Sequence, residues 1–248
     1  MKKNSSKDNI VGIHAVRILL KVRPFDVYEI YLSDKSSSKF DAISNEAKKN
    51  NITIQKMSND KIYEISNVKS HQGVLAIAKK KTEIIEKDMI SFIKSQHENQ
   101  ILLILDEVSD PRNLGACLRI CDAYNISAVI IKDHDSVKLN ETVKKVAAGS
   151  AETIPVIRVK NISRVLDMLK KNDYWIYGAS DKASNDVNQL SFKTPIALII
   201  GGESNGLRKK TLESCDYTLK INMNGVVESL NMAVATGILI NTIYSKIK

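Results

Sequence analysis

A chain of 248 residues with 43% hydrophobic content can bury one large core or two modest ones, so it needs no disulfide staples to fold. Its 37 Lys and Arg against 28 Asp and Glu leave a net charge of +9, which favours a polyanionic partner, nucleic acid first, although solubility alone also explains many basic proteins. No apolar run approaches the length of a membrane span, and MKKNSSKDNI leads into an amphipathic segment rather than a signal-peptide core, so a cytoplasmic protein without a membrane partner is expected.

From Gly12, GIHAVRILLK carries apolar residues at helical spacing and VYEIYLS alternates as a strand does. The cycle repeats in helix FDAISNEAKKN and strand NITIQKM, followed by helix NDKIYEISN and a closing strand, HQGVLAIAK. Residues 1–78 therefore form a small α/β/α domain. The charged KKKTEIIEKD lacks a continuous apolar face, and 79–98 is read as a linker. Residues 1–98 hold 18 basic and 12 acidic side chains, whereas the longer remainder holds 19 and 16, so the first part is the better candidate for gripping phosphates.

The second domain, 99–248, opens with ILLILDEV, a run apolar enough for a strand buried on both faces of a parallel sheet. Helix NLGACLRICDAY, strand SAVIIK, helix LNETVKKVAAG, strand TIPVIRV, helix ISRVLDMLKK and strands YWIYGAS and PIALII follow. Helix LRKKTLESC, strand DYTLKI and a last helix from Ser229 to about Ser245 complete an alternation that predicts a parallel sheet covered on both faces. Cys117, Cys121 and Cys215 form no CxxC pair and have no His at metal spacing, so neither a disulfide framework nor a metal site is expected.

Three segments combine glycine with polar residues where apolar strands end: DPRNLGACLR at 110–119, IIGGESNGL at 199–207 and VESLNMAVATGIL at 227–239. The carboxyl edge of an open α/β sheet is where ligands bind. The first strand-to-helix turn, DEVSDPRNLG, holds Gly115 alone, which disfavours an ordinary dinucleotide fold with its G-x-G-x-x-G turn. Taken singly, each polar residue has a plainer use. Asn113 after Pro111 suits a helix start, Ser229 and Asn231 suit a cap, and Arg119 suits a solvated helix face.

The order D-P-x-N-x-G-x-x-x-R, G-G-E-x-x-G-L, E-S-L-N-M-A-V-A-T-G-I-L resembles the three signature motifs of the SpoU/TrmH-type RNA ribose 2'-O-methyltransferases. GIHAV at 12–16 and HQG at 71–73 resemble the amino-terminal, L30e-like substrate-binding domain of the subgroup that methylates a guanosine in 23S ribosomal RNA. That resemblance implies a trefoil-knotted SPOUT domain, S-adenosylmethionine as cofactor, a homodimer, and 23S ribosomal RNA as partner. It implies cofactor contacts at Gly201, Ile221 and Leu230, and catalytic roles for Asn113, Arg119, Glu203, Ser229 and Asn231. A guanidinium does not ordinarily deprotonate, so Arg119 is expected to bind phosphate and steady a developing alkoxide, with Glu203 orienting it or relaying the proton. Ser204 stands where the family often has Gly. Two other readings stay open: a tRNA ribose methyltransferase, and a non-catalytic RNA-binding assembly protein.

Overall fold

The computed structural model describes residues 6–35, 37–96, 100–134, 136–202, 206–227 and 229–247, in two units: Met1–Thr82 with Leu139–Thr153, and Glu83–Lys138 with Ile154–Lys248. In the first unit, β1 (Lys7–Val11), α1 (Ile13–Val22), β2 (Val27–Ser33), α2 (Asp41–Lys49), β3 (Thr53–Met57), α3 (Asn59–Ser66) and β4 (Val74–Lys79) follow in order. The sheet runs β1-β4-β2-β3, with β4 antiparallel to both neighbours and β2 parallel to β3. Val16, Leu19 and Leu20 of α1 and Ile43 and Ala47 of α2 pack on one face. Ile62 of α3 meets Leu75 and Ile77 on the other. Burial on both faces is why β4 is an almost unbroken apolar run.

The second unit contains β5 (Ile84–Ile85), α4 (Met89–Lys94), β6 (Ile101–Leu105), α5 (Pro111–Ala123) and β7 (Ala128–Lys132). After α6 (Glu141–Ala147) and α7 (Ser150–Thr153), which belong to the first unit, it continues with β8 (Val156–Val159), α8 (Ile162–Lys170) and β9 (Trp175–Ala179). Then come β10 (Asn185–Asp186), β11 (Ile196–Ile200), α9 (Lys209–Glu213), β12 (Tyr217–Lys220) and α10 (Met232–Ile247). Every pairing in its sheet, β10-β12-β9-β11-β6-β7-β8-β5, is parallel. The fully buried ILLIL of β6 and IALII of β11 lie side by side at its centre.

Four expectations change on contact with the structure. β1 was not anticipated, because KDNIV has a single buried side chain, Ile10, and depends on pairing along β4. The expected linker 79–98 holds regular structure between Ile84 and Lys94: β5 pairs with β8, and Met89 and Ile93 of α4 are buried in the second unit's core. Each such side chain contributes about 1.5–3 kcal/mol, which its charged neighbours hid from a reading by periodicity. Residues 139–153, expected in the second domain, pack in the first unit. There Lys144 pairs with Asp8, and Arg23 Nε donates to Glu152 at 2.8 Å. Finally, the last helix begins at Met232 rather than Ser229, since Asn231 is its cap.

Candidate active site

The parallel neighbours β6 and β11 end at Leu105 and Ile200, which are paired in register, so the segments that follow them emerge together at the carboxyl edge. β12, reached from β11 through β9, ends at Lys220 and brings Ile221 to the same edge. The chain then enters α10, which packs on α5. Asn231 Nδ2 donates to Asn113 Oδ1 at 2.9 Å, Cys117 Sγ lies 3.5 Å from Thr236 Oγ1, and Tyr124 Oη donates to Asn241 Oδ1 at 2.9 Å. These contacts advance in the same direction along both helices, so α5 and α10 are parallel. Both amino-terminal ends, with their partial positive charge, lie at the site.

Asn231 works twice. Its Oδ1 accepts from the Ala233 and Val234 amides at 2.9 and 3.4 Å, capping α10, while its Nδ2 satisfies the buried Asn113. Ser229 is exposed, and among the described residues it makes no hydrogen bond, so the capping role open to it falls to Asn231 alone. Arg119 is likewise exposed, and its side chain makes no ion pair or hydrogen bond among the described residues. The structure therefore joins Asn113 and Asn231 directly and leaves Arg119 and Ser229 facing solvent. Glu203 lies outside the described residues, as do Ser204 and Asn205.

Gly201 has no room for a side chain against its own chain. A Cβ there would stand 2.1 Å from the Gly206 carbonyl carbon and 2.3 Å from the Leu207 amide nitrogen. The space a side chain would need is taken by the chain's own backbone as it turns back, and Gly206, at φ 59, donates its N–H to the Gly202 carbonyl at 3.0 Å. The fit to S-adenosylmethionine rests on neighbouring groups. Leu230 and Ile221 are half-buried, and among the described residues the backbone N–H and C=O of Leu230 make no hydrogen bond, which suits an adenine edge bounded by apolar side chains.

Three residues that the motifs did not single out hold this loop in place. Asp106, 1% exposed at the end of β6, accepts from Arg208 Nη2 at 2.6 Å and from Thr211 Oγ1 at 3.3 Å. A buried carboxylate is tolerable only when paired, so Asp106 ties the motif after β11 to the motif after β6. The signal was present in ILLILD, where an acidic residue ends a buried strand. Beside it, Glu107 sits at φ 71 and approaches Gly202 closely enough that a Cβ there would lie 3.2 Å from the Glu107 carbonyl oxygen. The thiols of Cys117 and Cys215 are pushed up by burial to about 11 and about 12, which removes them from nucleophilic chemistry near neutrality. No cluster suited to a metal ion occurs among the described residues.

Residues 100–241 match the model of the SpoU rRNA Methylase family, and residues 9–84 match that of the RNA 2'-O ribose methyltransferase substrate-binding domain. The chain is 39% identical over 234 residues to a 23S rRNA (guanosine-2'-O-)-methyltransferase RlmB from Vibrio parahaemolyticus, covering 94% of each. It is 40% identical over 230 residues to the RlmB of Pectobacterium atrosepticum, covering 92% of this chain and 94% of that one. Among solved structures, the SpoU methyltransferase AviRb from Streptomyces viridochromogenes in complex with AdoMet superposes with a TM-score of 0.78 at 20% identity, covering 97% of this chain and 90% of that one. An AdoMet-bound rRNA methyltransferase from Sinorhizobium meliloti gives 0.77 at 19%, covering 97% and 87%.

Proposed function

The chain belongs to the SpoU rRNA methylase family, and from that footing we propose how its residues divide the work. The enzyme transfers the methyl group of S-adenosylmethionine to the ribose 2'-hydroxyl of a guanosine in 23S ribosomal RNA. The observation that carries the residue assignment is the pair of parallel helices whose starts are locked by the Asn231–Asn113 hydrogen bond at the sheet's carboxyl edge.

Gly201, Ile221 and Leu230 would hold S-adenosylmethionine, which when bound supplies an electrophilic methyl group on a sulfonium. Asn113 and Asn231 fix the two helix starts, so the positive ends of both dipoles face the anionic RNA without reorganisation. Arg119, uncommitted within the chain's described residues, closes on the phosphate beside the target ribose and steadies the oxygen as its proton leaves. Glu203 orients that guanidinium or receives the proton, and Ser229 lies at the exposed entrance.

The first unit, Met1–Thr82 with Leu139–Thr153, grips the RNA, and the second, Glu83–Lys138 with Ile154–Lys248, carries the chemistry. Two copies of the chain form the working enzyme in the cytoplasm. Support for the dimer comes from Val234 and Ile238, exposed one turn apart on α10, and from the fully exposed Val226. It does not come from the small residues of that helix, since Gly237 faces Ile120 of α5 in the same chain. Among the described residues no helix is long and apolar enough to cross a membrane.

The test is to map 2'-O-methyl groups in 23S ribosomal RNA from cells with and without the gene, and to incubate the purified protein with unmodified 23S transcript and S-adenosylmethionine. One guanosine should lose its methyl group in the deletion and regain it in the reaction. Modification confined to tRNA would overturn the assignment.

A further inference from the structure

The GIHAV and HQG segments are not needed by the methyl-transfer site, yet they meet in the first unit. Gln72 Oε1 accepts from the Ile13 amide at 3.0 Å, where it starts α1. Gln72 and Gly73 have φ of 55 and 73, and the Val74 amide donates to the His71 carbonyl at 3.0 Å, which makes a tight turn with two successive left-handed residues. A left-handed Gln costs about 1 kcal/mol or more, and such strain persists only where surrounding contacts impose it. The Ser33 amide supplies one such contact, donating to the Gly73 carbonyl at 2.8 Å.

This turn floors a cavity of about 610 Å³ at the carboxyl edge of the parallel pair β2 and β3. A Cβ on Gly73 would come within 2.9 Å of Ser33 Cβ and 3.1 Å of Phe40 Cζ, so only glycine keeps that floor. The walls offer four kinds of chemistry. Phe40 and Tyr63, the latter 38% exposed, present aromatic rings; Lys35 and Lys69 present ammonium groups; Asn59 carries an amide; and Asp60 carries one carboxylate against those two cations. His71, 6% exposed, accepts from the Gly73 amide at Nδ1 over 3.0 Å, which places its proton on Nε2. Among the described residues Nε2 has no hydrogen-bond partner.

We propose that this cavity receives one unpaired nucleotide of the RNA substrate, its base against Tyr63 and Phe40, its phosphate at Lys35 and Lys69, and a base-edge acceptor on His71 Nε2. Rings beside cations are how proteins hold single-stranded RNA, whose splayed bases can stack and expose their edges, whereas a duplex offers chiefly backbone. The assignment rests on RNA being the substrate of this chain, and it names where and in what form the first unit holds it.

The test uses the full chain and a mixed-sequence heptaribonucleotide, with a 12-base-pair RNA duplex beside it. Tyr63→Ala should weaken heptamer binding roughly tenfold, Tyr63→Phe should restore it, and Lys69→Ala should weaken it and lower its salt dependence. Binding of S-adenosylmethionine by calorimetry should be unchanged in all three, which also shows that they are folded. Heptamer carrying 4-thiouridine should photocross-link to a peptide containing Tyr63 or Phe40. Wild-type heptamer affinity in Tyr63→Ala, or equal losses for heptamer and duplex, overturns the nucleotide pocket. Failure of the wild-type chain to methylate 23S transcript would instead count against the substrate assignment, and it is read in a separate assay.

Discussion

Arg119, like Arg112 on the same helix, differs from the remaining arginines of the second unit. Arg158 pairs with Glu83, Arg164 with Glu86, and Arg208 with Asp106, while Arg119 has no such partner among the described residues. A cation left exposed two turns into α5 is free to meet a phosphate and a developing alkoxide. Arg119→Ala should therefore lower the methyl-transfer rate by roughly 10²–10³ while calorimetry finds S-adenosylmethionine bound as before. Near-normal single-turnover methylation by this variant would remove the role. Gly201 gives a contrasting expectation, because its hydrogen faces the chain's own backbone. Gly201→Ala must shift the 206–207 peptide, so both the melting temperature and cofactor binding should fall. Gly225→Ala, with nothing within 4 Å of the added methyl, should leave the melting temperature in place. A Gly201→Ala protein as stable as the parent would contradict this close approach.

At the scale of elements, caps and turns decide where helices start and stop. Asn140, Asn161 and Asn231 each accept from an amide of the helix they precede, which is why α6, α8 and α10 begin where they do. The break between α6 and α7 falls at Ala148 and Gly149, with φ of 51 and 104. Gly149 is the position that only glycine suits, and an added Cβ would also stand 2.5 Å from Ile18 Cδ1 of α1. Gly149→Ala should cost about 1–3 kcal/mol in chemical denaturation, and the loss should shrink when Ile18 is trimmed to Val. An unchanged denaturation midpoint would mean that α6 and α7 do not rest on α1 as described.

For the molecule as a whole, the half-buried Lys81 writes a pH dependence into stability. Burial lowers its pKa to about 8 from the ordinary 10.5, against the opposing pull of Glu152, and Arg23 lowers it further. The ammonium is held by the carbonyls of Ala151 and Glu152 at 3.0 and 2.8 Å. Between pH 8 and 10.5 the unfolded chain keeps a proton that the folded chain has released, so this group's contribution to stability rises with pH across that window and is level above it. Wild type minus Lys81→Met, followed by thermal melts in steps through that range, should show the rise. Parallel curves for the two proteins would place the Lys81 proton elsewhere.

Much of this was written locally. Apolar runs such as ILLIL and IALII, separated by helices, dictate a parallel sheet, because a strand buried on both faces has no room for alternation. The three motif segments carried the family and its chemistry, since their residue types and order survive without coordinates. What the sequence left open depends on contacts between residues far apart in the chain. KDNIV becomes a strand only by pairing with β4, and KKKTEIIEKD looks like a linker until β8 and the second core claim its apolar residues. The Asp106–Arg208 pair spans 102 residues and the Asn113–Asn231 bond spans 118, and no local pattern says which partner either residue meets. Sequence determined which groups are present and which elements form, because propensity and periodicity act over a few residues. Tertiary structure alone decided which of those groups meet, which glycine yields its space to backbone, and which cations stay open, because those outcomes depend on where the folded chain returns to itself.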